Sequence, residues 1–229
     1  MLYLIALLVS ACSMAYELLL AQAISATMGA TFLRYNLTIG IYLASLGFGA
    51  LICFRRGRTR LVEKLVAVEL GLAWLGMLSP LMVYAWDAGV FRLSAATGLP
   101  FRGAVYQALL HVFNNSLIVA IGMLSGFELP LLMSLAGKRS NEVLAVDYFG
   151  TLVGTIAFPL FLLPELGVVE SSVLAGGLNS VVALALVLSV PAASRWRMRL
   201  SALTLAAAVS LWFSSGAIHA FIFENFFLF

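Results

Sequence analysis

The chain has 229 residues, 63% hydrophobic and only 10% charged, with a net charge of +3 and a mean hydropathy of +1.07. No globule of that size hides so much apolar surface, and long unbroken apolar runs are unlike barrel strands, which alternate over about ten residues; a soluble domain and a β-barrel are both excluded. The basic residues fall in short loops rather than on one face, so nucleic acid is not expected as a partner, and Cys12 and Cys53 suggest neither a disulfide framework nor a metal cluster.

The expected fold is all-α: a polytopic transmembrane helical bundle of about seven spans in a single domain covering 1–229. Residues 2–26 are long enough to cross a bilayer and carry one charge, Glu17. The rival reading of this stretch, a signal peptide ending at the Val9–Cys12 sequence VSAC, lacks a basic n-region, and apolar sequence continues past the cysteine. The second span, Leu37 to Phe54, is uncharged and rich in small residues, and a basic loop follows with Arg55, Arg56, Arg58, Arg60 and Lys64. The third span runs from Leu65 to Trp86. Glu69 lies close to its basic end and is read as snorkelling or paired with a loop arginine. Residues 87–103 read as the longest loop.

The fourth span, Ala104 to Ala136, exceeds what a bilayer needs and is expected to tilt or to kink at Pro130. His111, Asn114 and Asn115 near its start share part of one helix surface, where interhelical hydrogen bonding is the expected role. The fifth span, Val143 to Leu163, ends in a Pro164–Gly167 turn. Ser171 to Val190 forms the sixth, and Arg195, Arg197 and Arg199 precede a seventh from Leu200 to about Phe223.

The stretch from Gly122 to Gly167 concentrates the chemistry. Glu128 and Asp147 each place a carboxylate in an apolar helix, where ionisable residues are costly. Glu128 lies ten residues before Lys138 and Asp147 eight after Arg139, so at about 1.5 Å per residue an antiparallel pair holds them at nearly one depth. Gly122/Gly126 and Gly150/Gly154 form two GxxxG pairs that permit close helix contact. Pro130 frees a carbonyl near Glu128.

The loops after spans two, four and six hold 10 of the 13 Lys and Arg residues, so that side is read as cytoplasmic, with the N-terminus inside and the C-terminus outside. An inverted 3+3 repeat plus one helix is also suggested, with units 1–86 and 104–190 and the extra helix at 200–223. Tyr16-Glu17 aligns with Phe127-Glu128, Tyr42 to Leu46 with Tyr148 to Leu152, and Val62-Glu63 with Val169-Glu170, at offsets of 111, 106 and 107. Repeats of opposite topology place a site near the midplane between them.

The order E-L-P, a basic turn, D-Y-x-G-x-L-x-G and F-P-x-x-L-L-P-x-L-G resembles the membrane domain of spermidine-synthase-like proteins, also described as fused transporter and spermidine synthase. Tyr16-Glu17 and the Gly-rich second span are similar to the front of that domain. The resemblance covers most of the chain and is most specific over 122–167. It implies that aminopropyl transfer belongs to a soluble domain outside this sequence, and that a synthase-like protein is a partner. A cytosolic synthase following Phe229 would conflict with the outside C-terminus that the charge bias gives.

Burial favours the protonated form of a carboxyl, so such acids hold a proton or, in its place, a cation. The expected function is therefore binding or transport of a small cationic, polyamine-like solute in a bacterial inner membrane. The candidate residues are Glu17, Glu128 and Asp147, with Tyr16, Phe127 and Tyr148 offering aromatic faces. The alternative is a membrane anchor or scaffold in which the acids only cap free backbone groups. No nucleophile with its base, metal cluster or phosphate loop is present, so neither catalysis by this chain nor a cofactor is expected.

Overall fold

The computed structural model describes residues 1–29, 31–55, 60–98, 103–189 and 195–226, and among these there are helices and no strand. The order is α1 (Leu2–Met28), α2 (Thr31–Arg55), α3 (Leu61–Thr97), α4 (Ala104–Ala136), α5 (Ser140–Ala157), α6 (Gly167–Leu188) and α7 (Arg195–Phe226). A short 3₁₀ turn, Gly137–Arg139, joins α4 to α5, and a π-helical segment, Phe158–Leu166, continues α5. Parts of two expected loops, 56–59 and 99–102, and the last residues, 227–229, lie outside the described residues.

Glycine marks the breaks. Gly29, Gly98, Gly137 and Gly167 all have positive φ, between +58° and +79°, a conformation that costs a residue with a Cβ but not glycine. The fifth break carries Arg60 at φ 54°. Four helical stretches are long and apolar enough to cross a membrane: 2–28, 32–53, 61–97 and 104–188. The last holds 85 residues, about 130 Å if straight, which is several times a hydrocarbon core of about 30 Å, so it must fold back on itself. Gly137 and Gly167 supply the breaks.

Two boundaries differ from the sequence reading. Residues 87–97 are helical rather than loop, because α3 runs on to Thr97 and its end packs: Val90 clusters with Tyr106 and Leu110 of α4. The expected turn at Pro164–Gly167 narrows to Gly167. Pro164 sits inside the π-helical segment, whose wider hydrogen-bond pattern accommodates a residue without an N–H.

Helix α1 is the hub, in contact with every helix from α2 to α6. Around it α2 packs on α4, α5 on α1, and α3 on α6. Both GxxxG pairs serve these seams, although with partners the sequence did not name. Gly122 meets Tyr42 and Ser45, and Gly126 meets Leu46, so α2 and α4 run parallel. Gly150 meets Leu7 and Ser10, and Gly154 meets Ala11 and Met14, so α1 and α5 are parallel too. The Ser172 hydroxyl donates to the Met77 carbonyl at 3.0 Å, and Gly176 lies against Ala73, which makes α3 and α6 antiparallel. The outside of the bundle is apolar: Phe48 and Leu51 of α2, Phe149, Leu152 and Ile156 of α5, and Leu203 and Phe213 of α7 are all exposed.

Polar contacts tie the helix ends. At one end Arg197 donates to Glu63 at 2.7 Å and the Tyr3 hydroxyl to Glu142. At the other, Arg34 donates to His111 Nδ1 at 2.6 Å and Asn114 to the Met28 sulfur at 3.3 Å. His111 and Asn114 thus act between helices.

Candidate functional site

Glu17 stands mid-way along α1, Glu128 about two turns before the end of α4 with Pro130 behind it, and Asp147 about two turns into α5. Connectivity alone would scatter them. The parallel packing of α5 on α1 and of α4 on α2 instead brings all three carboxylates to one cavity of about 240 Å³. That is far more than the 10–15 Å³ that one water needs. Glu17 and Glu128 are each 3% exposed, whereas Asp147 is half-buried and is the most accessible of the three.

The rest of the lining is hydroxyl and aliphatic. Ser10 and Ser13 of α1, Ser125 of α4 and Thr151 of α5 face the same space, beside Leu43, Leu46 and Pro130. Tyr42, fully buried in α2, braces the wall by donating to the Ser13 carbonyl at 3.0 Å, with its hydroxyl hydrogen-bonded to Ser125 Oγ at 2.8 Å. These hydroxyl residues were not singled out from sequence, since serine and threonine are common in packed membrane helices and carry no charge to mark them.

The aromatic candidates lie elsewhere. Tyr148 is 67% exposed and does not line the cavity; it is one residue from Asp147, about 100° around the helix, and so looks outward. Phe127 is displaced for the same reason and lines a separate apolar cavity with Cys53, Lys64 and Leu131. Tyr16 is buried in the core, its ring standing where a Cβ on Gly76 would be. The acids of the sequence reading therefore converge, and its aromatic faces do not join them.

Glu69 corrects the sequence reading directly. It is 0% exposed, so it does not snorkel, and neither carboxyl oxygen has a hydrogen-bond partner, a loop arginine included, among the described residues. The reason is where α3 starts: the helix begins at Leu61, which carries Glu69 about 12 Å inward along a helix that packs on α1, α4 and α6. There it lies level with Glu128, because Gly71 lies against Leu124 and Val68 and Phe127 line one cavity. Glu128 also keeps one buried oxygen without a partner.

Chemically, the cavity offers acceptors and negative charge. No ion pair joins a basic side chain to Glu17, Glu69, Glu128 or Asp147 among the described residues, so within that set nothing compensates the charge of an ionised acid there. A cation or protons must balance it. No group of three or more His, Cys, Asp or Glu among the described residues has the arrangement of a metal site.

No protein-family model matches this chain, and no solved structure matches it. It is similar to proteins named polyamine aminopropyltransferase. It is 31% identical over 182 residues to polyamine aminopropyltransferase 2 of Ralstonia nicotianae, covering 76% of this chain and 32% of that protein. To the polyamine aminopropyltransferase of Leptospira interrogans it is 31% identical over 189 residues, 80% of this chain and 34% of that protein. To polyamine aminopropyltransferase 2 of Streptomyces coelicolor it is 34% identical over 187 residues, 78% and 32%. The chain spans about a third of the length of the curated relatives it matches.

Proposed function

We propose that this chain is a membrane-embedded helical domain of a polyamine aminopropyltransferase-like system, and that its carboxylate-lined cavity binds or carries a polyamine-like cation. The observation that carries the reading is the convergence of Glu17, Glu128 and Asp147, from three helices, on one cavity without a basic partner among the described residues. A flexible aliphatic amine suits such a space, with ammonium groups for the acids and methylenes for Leu43, Leu46 and Pro130. The relatives' names point to the same class of molecule.

Seven crossings of a bacterial inner membrane, with the N-terminus cytoplasmic, fit the long apolar helices and the exposed apolar side chains on the outside of the bundle. The pairing of helices supports an inverted repeat. Exchanging α1 with α4, α2 with α5 and α3 with α6 turns the α2–α4 seam into α5–α1 and leaves the α3–α6 seam in place. Glu17 and Glu128 then become mates facing one cavity from the two halves.

The test is thermal stability of the purified protein in detergent against a panel of polyamines and nucleosides, repeated with Glu128→Gln and Asp147→Asn. A ligand at 100 times its dissociation constant stabilises by about 2.7 kcal/mol if it binds only the folded state. Stabilisation by a polyamine that is lost in both variants supports the site. A second reading, in which the helices only anchor or dock a polyamine aminopropyltransferase, is favoured by the relatives' names. It predicts no shift with any cation and co-purification with such an enzyme.

A further inference from the structure

Behind the cavity lies a feature that cation binding alone does not use. Glu69 sits at 0% exposure, and among the described residues neither of its oxygens has a hydrogen-bond partner. Gly71 lying against Leu124, and Val68 and Phe127 lining one cavity, set it level with Glu128 on the adjacent α4, which reaches the carboxylate-lined cavity with one oxygen also unpartnered among the described residues. We propose that Glu69 and Glu128 form a proton-holding pair, and that a cation entering the cavity displaces one proton from it, so that cation and proton exchange for one another. This rests on the cavity being a polyamine site.

Two carboxyls in a dry interior, without a cation beside them, are cheapest when both carry protons. On entry of an ammonium group the O–H bond of Glu128 breaks, its proton leaves to water through the cavity, and the carboxylate takes the ammonium as its partner. At this carboxyl charge is conserved, with one ammonium charge in and one proton out. Glu69 keeps its proton, because two carboxylates so near each other resist ionising together. In the proposed pair the O–H of Glu69, which has no partner among the described residues, turns toward the new carboxylate, which makes Glu69 a positioning residue.

The other groups packed around the pair do not supply the proton's counterpart. From α1 come Cys12, Tyr16 and Glu17, from α2 Tyr42, and from α5 Asp147. Helix α6 presents Ser172 and Gly176 to α3, and α7 presents Thr204 to Trp74. None of these is a base that would stay charged beside the pair.

The experiment is spermidine binding to the purified full chain from pH 6 to pH 8, with proton release followed by an indicator dye in weak buffer, on the parent, Glu69→Gln and Glu69→Leu. Each displaced proton makes affinity rise about tenfold per pH unit, with at least one proton released per spermidine bound. Glu69→Gln, whose amide still donates, should keep the affinity. Glu69→Leu, folded by its melting temperature, should lose tenfold or more. Binding that is flat with pH and releases no proton overturns the exchange while leaving the cation site standing. Glu69→Leu binding like the parent overturns the role of Glu69. No binding of spermidine by the parent at any pH removes the site and the exchange together.

Discussion

Glu69 and Glu128 carry the same group into different surroundings, one facing only side chains and the other a cavity. Neither has a hydrogen-bond partner to lose at its unpaired oxygens, so replacing Glu69 by the isosteric Gln should change stability by no more than about 1 kcal/mol, read as melting temperature in detergent. Gly76→Ala should do worse, because the Tyr16 ring occupies the space its Cβ needs; overpacking of this kind costs about 1–3 kcal/mol. A melting temperature unchanged in Gly76→Ala would mean that the Tyr16 ring has somewhere else to go. At this scale the sequence was partly legible. Glu17, Glu128 and Asp147 stood out because a charge in an apolar run is conspicuous. Glu69 was just as conspicuous, but five residues from Lys64 it was attributed to the basic loop, since how far inward α3 carries it depends on tertiary packing. Tyr148 was placed at the site by its nearness to Asp147 in sequence, which on a helix sends neighbours in different directions.

The helices were legible as elements because their breaks fall at glycines and their bodies are unbroken apolar runs. What the sequence could not give was which helix each small-residue face meets, since GxxxG permits close approach to any neighbour. The structure makes this testable with paired substitutions. An added Cβ would meet the Leu46 carbonyl at Gly126 and the Leu7 carbonyl at Gly150, whereas Gly40 and Gly47 have nothing within 4 Å. Ala at 126 or 150 should therefore destabilise by about 1–3 kcal/mol, and Ala at 40 or 47 should be neutral or stabilise by up to about 1 kcal/mol. The seam between α3 and α7 should respond to pH. The Arg197 guanidinium beside Glu63, ahead of the apolar part of α3, holds that carboxyl below its ordinary value. Its folded value thus lies below an unfolded value of about 4.3, so the contribution is complete above that pH and disappears as pH falls through the folded value. The difference in melting temperature between the parent and Glu63→Gln should stay constant from pH 7 to about 5 and close below about 4.

For the whole molecule, the proposed orientation, which rests on the charge bias, puts the turn at Gly137–Arg139 inside and the end of α3 at Thr97 outside. With Cys12 and Cys53 replaced, a cysteine at Thr97 should react with an impermeant maleimide in intact spheroplasts, and one at Lys138 only after permeabilisation. The reverse pattern would invert the orientation. The proposed inverted repeat rests on three short alignments at near-constant offset; that helices from both proposed units would line one cavity was not legible in the sequence, because that depends on seams between helices far apart in sequence. The most direct measurement is an equilibrium binding isotherm for spermidine on the parent protein and on Glu17→Gln, Glu128→Gln and Asp147→Asn. A single saturable site that weakens in all three variants, with each still folded, is the predicted result, because the three acids line one space. Equal affinity in the parent and every variant, or binding to none of them, would contradict a cation site at this cavity.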